Sequence, residues 1–180
     1  MQSLAIIALA IASAILYGVI HDQVTARICV EYFTVGHLRL IDSDSPTVLG
    51  LFWGVVATWW VGLPLGFGLA VAARAGRRPK LRAGQLIIPI GKLLAAMYLV
   101  ALIAGLVGFA TSRAGIFQLL EPLASRVPPE KHTAFLADAW AHGGSYLAGI
   151  VGGVTLWILT WRRRRHLTPS EGPGAGSPAV

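Results

Sequence analysis

Four long apolar runs constrain this chain more than any other feature. They cover about residues 3–20, 47–73, 85–111 and 138–161. A bilayer core about 30 Å thick needs about 20 helical residues, and each run is near or above that length. The runs are continuous rather than alternating, and only helices and closed barrels satisfy their backbone groups in lipid. We therefore predict an all-α membrane protein, a four-transmembrane-helix bundle that forms a single domain over residues 1–161.

The composition agrees with lipid as the main solvent. Hydrophobic residues make up 55% of the chain, the mean hydropathy is +0.66, and charged residues make up only 13%. A soluble domain carries about 25% charged residues. The formal net charge of +7 comes from clusters beside the apolar runs, which is typical of membrane topology and lipid contact rather than of nucleic-acid binding. We expect the lipid bilayer as a partner and no nucleic acid.

Two basic clusters predict the orientation. The loop after the second run contains five basic residues between Arg74 and Arg82, and the tail after the fourth run begins with Arg162–Arg165. The positive-inside rule places both clusters in the cytoplasm, where we expect them to contact anionic lipid headgroups. An even number of spans then places the N-terminus and the C-terminus there as well. Residues 162–180 form a tail that is first basic and then, over 167–180, rich in Gly, Pro and Ser. We predict disorder for this second part.

The first run has one feature of a cleaved signal peptide, the A-x-A pattern at Ala12–Ala14. The start of the run lacks Lys and Arg, and the apolar residues continue past that pattern. We therefore expect residues 1–14 to be retained as part of a helix.

Local signals refine the other runs. Ser45 and Pro46 are typical of a helix start. Pro64 and Pro89 lie inside runs, where each should kink its helix or remove one backbone hydrogen bond. Lys92 lies about 12 Å from the cytoplasmic end of its run, a depth from which its side chain can extend toward the interface.

Small residues recur at every fourth position of the second run, a spacing that lets two helix backbones approach closely. The candidates for this packing are Gly50, Gly54, Thr58, Gly62 and Gly66, with Gly149 and Gly153 in the fourth run. We predict packing within one chain, and a homo-oligomer is the alternative.

Acidic residues and histidines lie mostly opposite the basic clusters. Seven of the eight acidic residues and four of the five histidines fall on this outer side. Imidazole and carboxylate groups ligate divalent transition metals and also relay protons. The candidate metal ligands are His21, Asp22, Glu31, His37, Asp138 and His142, with His132, Tyr146, Arg27 and Cys29 as a second tier.

The first of two segments that carry these residues reads HDQVTARICVEYFTVGH, residues 21–37. Its helical spacing predicts an amphipathic helix on the outer face, continuing from helix one or lying beside it. Alternation of apolar and polar residues over 24–32 leaves a strand as the alternative. Arg27 and Glu31 are spaced for a helical ion pair. The single cysteine, Cys29, has no partner for an internal disulfide, and we expect it to pack as a small apolar residue.

In the second segment, Asp138 and His142 are four residues apart and therefore share a helix face. Both side chains can ligate one metal, or the acid can orient the imidazole. An ordinary hydrogen-bonded pair at the membrane boundary is the simpler interpretation, because an isolated D-x-x-x-H pattern has low specificity.

The residues HDQVTARICVEYFTVGH, followed by SPTVLGLFWGVVATWWVGLPLG, resemble a family of small uncharacterised bacterial membrane proteins. The resemblance covers roughly the first half of the chain and its basic loop. It implies a bacterial cytoplasmic (inner) membrane as the location, and it implies no activity and no functional residue.

Three functions are compatible with these residues. The first is a non-enzymatic membrane protein whose outer face binds a divalent metal or responds to protons. The second is a membrane metalloenzyme that uses the six candidate ligands. The third, which we place last, is a haem-binding electron carrier with His21 and His142 as its paired ligands.

Overall fold

The computed structural model describes residues 1–167 and is helical without strands over that range. Its helices are α1 (Gln2–Ile28), α2 (Val30–Thr34), α3 (Pro46–Val56), α4 (Trp59–Arg74), α5 (Ile87–Arg113) and α6 (His132–Arg163). The segment Pro46–Arg74 counts as one span, so four segments are long and apolar enough to cross a membrane. The prediction of four long apolar helices is confirmed. Most of the tail predicted to be disordered, from residue 168 onward, lies outside the described residues.

The first and fourth helices are longer than predicted. Helix α1 ends at Ile28 rather than near residue 20, and α6 begins at His132 rather than near residue 138. The predictions ended each helix where the apolar run ended. Both extensions are partly buried inside the bundle, since they include the buried residues Thr25 and Ala26 of α1 and Phe135 of α6. The segment 21–37 therefore forms the last turns of α1 and the short helix α2, and the alternative of a strand is wrong.

The second predicted helix is interrupted at Ala57 and Thr58, between α3 and α4. The Thr58 hydroxyl donates to the Gly54 carbonyl, a contact that commonly bends helices. The Tyr146 hydroxyl donates to the Ala57 carbonyl at 3.3 Å, which gives a partner to a backbone group at the interruption. The break therefore depends on one local contact and one contact from α6.

The two prolines inside the apolar runs do not behave alike. Pro64 lies within α4, where its missing N–H removes one helical hydrogen bond as predicted. Pro89 falls in the first turn of α5. The N–H groups of a first turn have no intrahelical partner, so the effect predicted for Pro89 is wrong.

The bundle is formed by two closely packed helix pairs. In the first pair, α1 packs along the segment formed by α3 and α4. In the second pair, α5 packs along α6. The two pairs meet mainly where α4 contacts α6. Small residues allow α1 to pack closely against α3 and α4. A Cβ on Gly54 would lie 2.5 Å from the Val19 backbone, and one on Gly62 would lie 2.8 Å from Ile11. The predicted small residues that face α1 are Gly50, Gly54, Thr58, Gly62 and Gly66. Their packing lies within one chain.

The sides of the helices that face away from the core of the bundle are strongly apolar. Leu99, Leu102 and Leu106 of α5 are each more than half exposed. Soluble proteins rarely expose large contiguous apolar patches. Lys92 is also exposed on α5, so its ammonium is not buried inside the bundle.

Arg164 closes one end of the bundle. Its guanidinium donates to the carbonyls of Ala72, Ala75, Arg78 and Pro79 at 2.7–3.0 Å, and only 1% of the residue is exposed. These carbonyls belong to the end of α4 and the loop after it, where a helix favours positive charge. Arg164 is therefore occupied inside the protein, which removes it from the side chains predicted to contact lipid headgroups.

The start of α1 lies at this same end, because the Ala83 N–H donates to the Gln2 side chain at 3.3 Å. The first residues, the basic loop and the end of α6 are thus together. The residues His21 and Asp22 lie near the other end of α1.

We expect Gly54→Ala to lower the free energy of unfolding by about 1–3 kcal/mol, because the added methyl overlaps the α1 backbone. Gly143→Ala is the matched control, since its Cβ would meet no atom of residues 1–167 within 4 Å. The control should be neutral or stabilise the helix by up to about 1 kcal/mol. Denaturant unfolding in detergent measures both, and equal stability of the two variants would contradict this packing.

We expect Arg164→Ala to destabilise the protein by about 3 kcal/mol, because it leaves several carbonyls without a charged donor. Arg164→Lys should recover only part of this loss, since one ammonium cannot reproduce the planar fork of donors. Arg163→Ala, an exposed neighbour, is the control and should change stability by less than about 0.5 kcal/mol. Similar losses in Arg163→Ala and Arg164→Ala would contradict the role of Arg164 in closing the bundle.

Candidate metal centre

One face of α1 carries the polar residues that enter the bundle. Its last three turns bury Tyr17, Gly18, His21, Asp22 and Thr25. Spacings of three and four residues place these positions on one side of a helix. Sequence reasoning singled out two of these residues. Tyr17 was missed, although its spacing of four from His21 places it on the same face.

Three predicted ligands converge between α1 and α6. His21, Asp22 and His142 each offer one ligand atom, and these atoms lie within 4.8 Å of one another. The three residues are only 5–7% exposed. Within residues 1–167 they form the only group of three or more His, Cys, Asp or Glu residues with this geometry. We refer to His21, Asp22 and His142 as the triad.

The hydrogen bonds of His142 determine which ring nitrogen is free. Its Nδ1 lies 2.8 Å from the Asp138 carbonyl oxygen. A carbonyl only accepts, so Nδ1 carries a proton and donates it. Nε2 of the neutral ring then has a lone pair, and it lies 3.2 Å from Oδ1 of Asp22. Two acceptors at this distance repel each other unless a proton or a metal ion lies between them.

His21 adds a third polar atom without a partner. Its Nε2 is buried and has no hydrogen-bond partner among the described residues. Its ring contacts the His142 ring edge to face, with centroids 4.6 Å apart. Buried polar atoms in proteins are nearly always paired. A single metal ion would satisfy His21, Asp22 and His142 together, whereas one proton satisfies only the pair formed by Asp22 and His142.

The contact between the two imidazoles also bears on haem binding. Paired haem ligands stand on opposite faces of the porphyrin, with the iron between them. Rings with centroids 4.6 Å apart leave no room for a porphyrin, so this arrangement gives no support to His21 and His142 as haem ligands.

Asp138 has a different role from the one its spacing suggested. Its main-chain carbonyl orients the His142 ring, while both carboxylate oxygens are buried without a partner in the described part of the chain. Asp22 and Asp138 are both almost fully buried, at 5% and 1% exposure. The salt bridges within residues 1–167 pair neither acid with a Lys or Arg. The cluster formed by the triad and Asp138 therefore contains no ion pair with a Lys or Arg.

Several predicted site residues lie outside the triad. Glu31 accepts a hydrogen bond from the Cys29 thiol at 3.3 Å, and His132 contacts a main-chain carbonyl of the preceding loop at 2.9 Å. Arg27 donates to the Thr47 hydroxyl at 2.8 Å. The predicted ion pair between Arg27 and Glu31 is therefore wrong, because each side chain has another partner.

His37 lies near the triad without joining it. Its Nδ1 donates to the Tyr32 carbonyl at 2.8 Å, and its ring packs against Phe33 and Trp53. Burial lowers the pKa of His37 below its usual value, so the ring is neutral at neutral pH and its Nε2 is an acceptor. Sequence spacing could not place this residue, because a turn separates it from α2.

A cavity of about 120 Å³ begins at the triad and continues between the two helix pairs. His21, Asp22, His37 and His142 line one end, and Trp157 lines the other. Trp157 follows His142 by fifteen positions along α6, which corresponds to about 22 Å. Beyond the polar end the lining is mainly aliphatic. A volume of this size holds several water molecules or one slender ligand.

Small residues of α6 help to keep this cavity open. Gly149 and Gly153 both line it and face side chains of neighbouring helices, Met97 and Leu65. The sequence predicted a packing role for both glycines. Their position adds a second consequence, because a larger side chain at either position would extend into the cavity.

Comparison with known proteins gives no relative from which a function follows: no family model, curated protein or solved structure matches this chain. The function is therefore inferred from the buried triad and the cavity.

We expect Cys29 to resist alkylation in the folded protein. Burial raises the pKa of its thiol to about 12, and the residue is 1% exposed. A maleimide should label the folded protein at least about a hundredfold more slowly than the unfolded protein, because little thiolate is present. A Cys29→Ser, Ser125→Cys double variant is the control, since Ser125 is exposed and should label rapidly. Equal labelling rates of Cys29 in the folded and unfolded states would contradict its burial.

Proposed function

We propose that this chain is an integral membrane protein that binds a divalent transition metal at His21, Asp22 and His142. Four segments of sufficient length and apolarity support a bundle that spans the membrane. The exposed leucines of α5 support it further, since lipid is the solvent in which such a surface is stable.

The charge distribution supports an orientation with both chain ends in the cytoplasm. The basic loop, the start of α1 and the end of α6 lie together at one end of the bundle. The positive-inside rule assigns that end to the cytoplasm. The triad then lies near the outer face of the cytoplasmic (inner) membrane, and the remaining basic side chains of residues 74–82 and 162–165 meet anionic headgroups.

The contact between His142 and Asp22 is the observation that carries the metal proposal. The lone pair of His142 Nε2 and the Asp22 carboxylate stand 3.2 Å apart, with Nε2 of His21 unpartnered within residues 1–167. Zinc ligands lie about 2.0–2.2 Å from the ion, so two ligands are at most about 4.4 Å apart. The triad atoms, all within 4.8 Å, need only a small side-chain rotation to share one ion.

A divalent ion also suits the charge of the cluster. Asp22 and Asp138 are two buried acids that pair with no Lys or Arg in the described residues. One divalent ion pairs with the Asp22 carboxylate and binds the free nitrogens of both imidazoles, whereas a single proton on His142 leaves His21 Nε2 without a partner. Two imidazoles and one carboxylate are typical ligands for zinc, iron or manganese.

A membrane metalloenzyme is the second candidate. Three protein ligands leave at least one coordination position open, as catalytic metal sites do. The cavity adjoins the triad and would give a substrate access to that position. This candidate shares the metal site with the first proposal and differs from it only in what occupies the open position.

We expect protein purified in mild detergent to carry about one divalent metal ion per chain, measured by elemental analysis. Asp22→Asn and His142→Ala should lower the metal affinity by more than about a hundredfold, because each removes a ligand. His132→Ala is the matched control and should retain the metal, since His132 contacts only a loop carbonyl.

Cobalt substitution gives a second measurement, because the visible spectrum of Co²⁺ reports its ligands. The wild type and His132→Ala should give the same spectrum, which His142→Ala should abolish. If the wild type binds none of zinc, manganese, cobalt or iron, or if His142→Ala binds them normally, the metal proposal is wrong. A pH-dependent change without metal binding would instead support a proton-responsive pair.

A further inference from the structure

We propose that the cavity beneath the triad binds one single-chain lipid with a small uncharged oxygen head, of the long-chain alcohol class. The head oxygen lies at the triad, and the aliphatic chain extends toward Trp157. The position of the head rests on the proposed metal site, whereas the binding of the chain depends only on the cavity.

The shape of the cavity supports one aliphatic chain. It extends about 22 Å along α6, yet the centre of a water molecule can reach only about 120 Å³ of it, so the cavity is long and narrow. A phospholipid, with two chains and a large headgroup, does not fit this space. Past its polar end the lining consists mainly of aliphatic side chains and glycines, including Leu65, Leu93 and Gly149, which provide dispersion contacts and no strong hydrogen bonds.

The charges at the polar end select an uncharged head. Among the described residues that line the cavity there is no Lys or Arg, so a phosphate or carboxylate would enter without a basic partner. An anionic head would also add negative charge beside the buried acid Asp22. An ammonium head would compete with the metal for the same acids. A hydroxyl head adds no charge and can occupy an open coordination position.

Neutral hydrogen-bonding groups surround the position of the head. His37 lines this end, and its Nε2 is an acceptor because Nδ1 donates to the Tyr32 carbonyl. A lipid hydroxyl can therefore donate to His37 while its oxygen faces the triad. Trp53 and Tyr32 also line this end.

Tryptophan fluorescence tests this proposal, because Trp157 lies at the far end of the cavity. The probe is a long-chain primary alcohol with bromine on its terminal carbon, because the chain must reach from the triad to Trp157 and bromine quenches a tryptophan that it contacts. The protein is studied in phospholipid nanodiscs, because detergent chains would compete for the cavity. We expect saturable quenching, and Trp157→Phe should remove most of the saturable component.

Matched variants distinguish the cavity from the lipid-facing surface. Gly149→Leu places a side chain inside the cavity, whereas Gly143→Leu adds the same side chain at an exposed position of α6 with no atom of residues 1–167 within 4 Å of its Cβ. We expect Gly149→Leu to weaken saturable quenching by about tenfold or more and Gly143→Leu to leave it unchanged. Quenching that does not saturate, or that is equal in both variants, would overturn the proposal.

The head is tested with the matching brominated carboxylate and amine. We expect the alcohol to bind at least about tenfold more tightly than either, and equal binding of either charged probe would overturn the choice of an uncharged head. Metal content is measured on the same samples. Bound metal without saturable quenching would support the proposed function and refute the lipid proposal. Saturable quenching without bound metal would refute the metal site but support an aliphatic chain in the cavity.

Discussion

The contact between His142 and Asp22 joins two helix pairs that otherwise meet mainly where α4 and α6 touch. Polar groups in an apolar bundle are costly unless they have partners. With a proton or a metal ion shared between them, the two residues hold α1 and α6 at a fixed distance at one end of the protein. Arg164 has the matching effect at the opposite end, where its guanidinium connects the last residues of α6 to the end of α4. The arrangement of the helices between these ends follows from both contacts.

The cavity is a consequence of this arrangement. Within the first pair, glycines bring α3 and α4 into direct backbone contact with α1, so little space remains there. Between the pairs, Gly149 and Gly153 present no long side chain, and the polar contacts at the two ends prevent α6 from moving inward. Glycines thus allow close packing within the first pair and leave an open space between the two pairs. The outcome depends on whether a neighbouring backbone is close enough to fill the space that the missing side chain leaves.

The sequence was sufficient to predict the number and the apolar character of the long helices, because length and hydropathy are local properties. It also identified His21, Asp22 and His142 as candidate ligands, although among other residues. It could not separate them from Glu31 and His132, because that selection depends on which side of each helix faces the other pair. The interruption at Ala57 depends on a hydroxyl from α6, a contact between residues distant in sequence. The role of the Asp138 carbonyl was missed because spacing arguments concern side chains.

The unpartnered atoms of the cluster distinguish a binding site from a structural pair. A pair that served only to join helices would have its polar atoms satisfied, since each buried unsatisfied group costs about 1–3 kcal/mol. Within the described residues, Nε2 of His21 and both carboxylate oxygens of Asp138 are buried without partners. Apolar residues of similar size would join the same helices without that cost. The cluster therefore carries more ligating and charged groups than packing requires, and this excess is what a bound cation would stabilise.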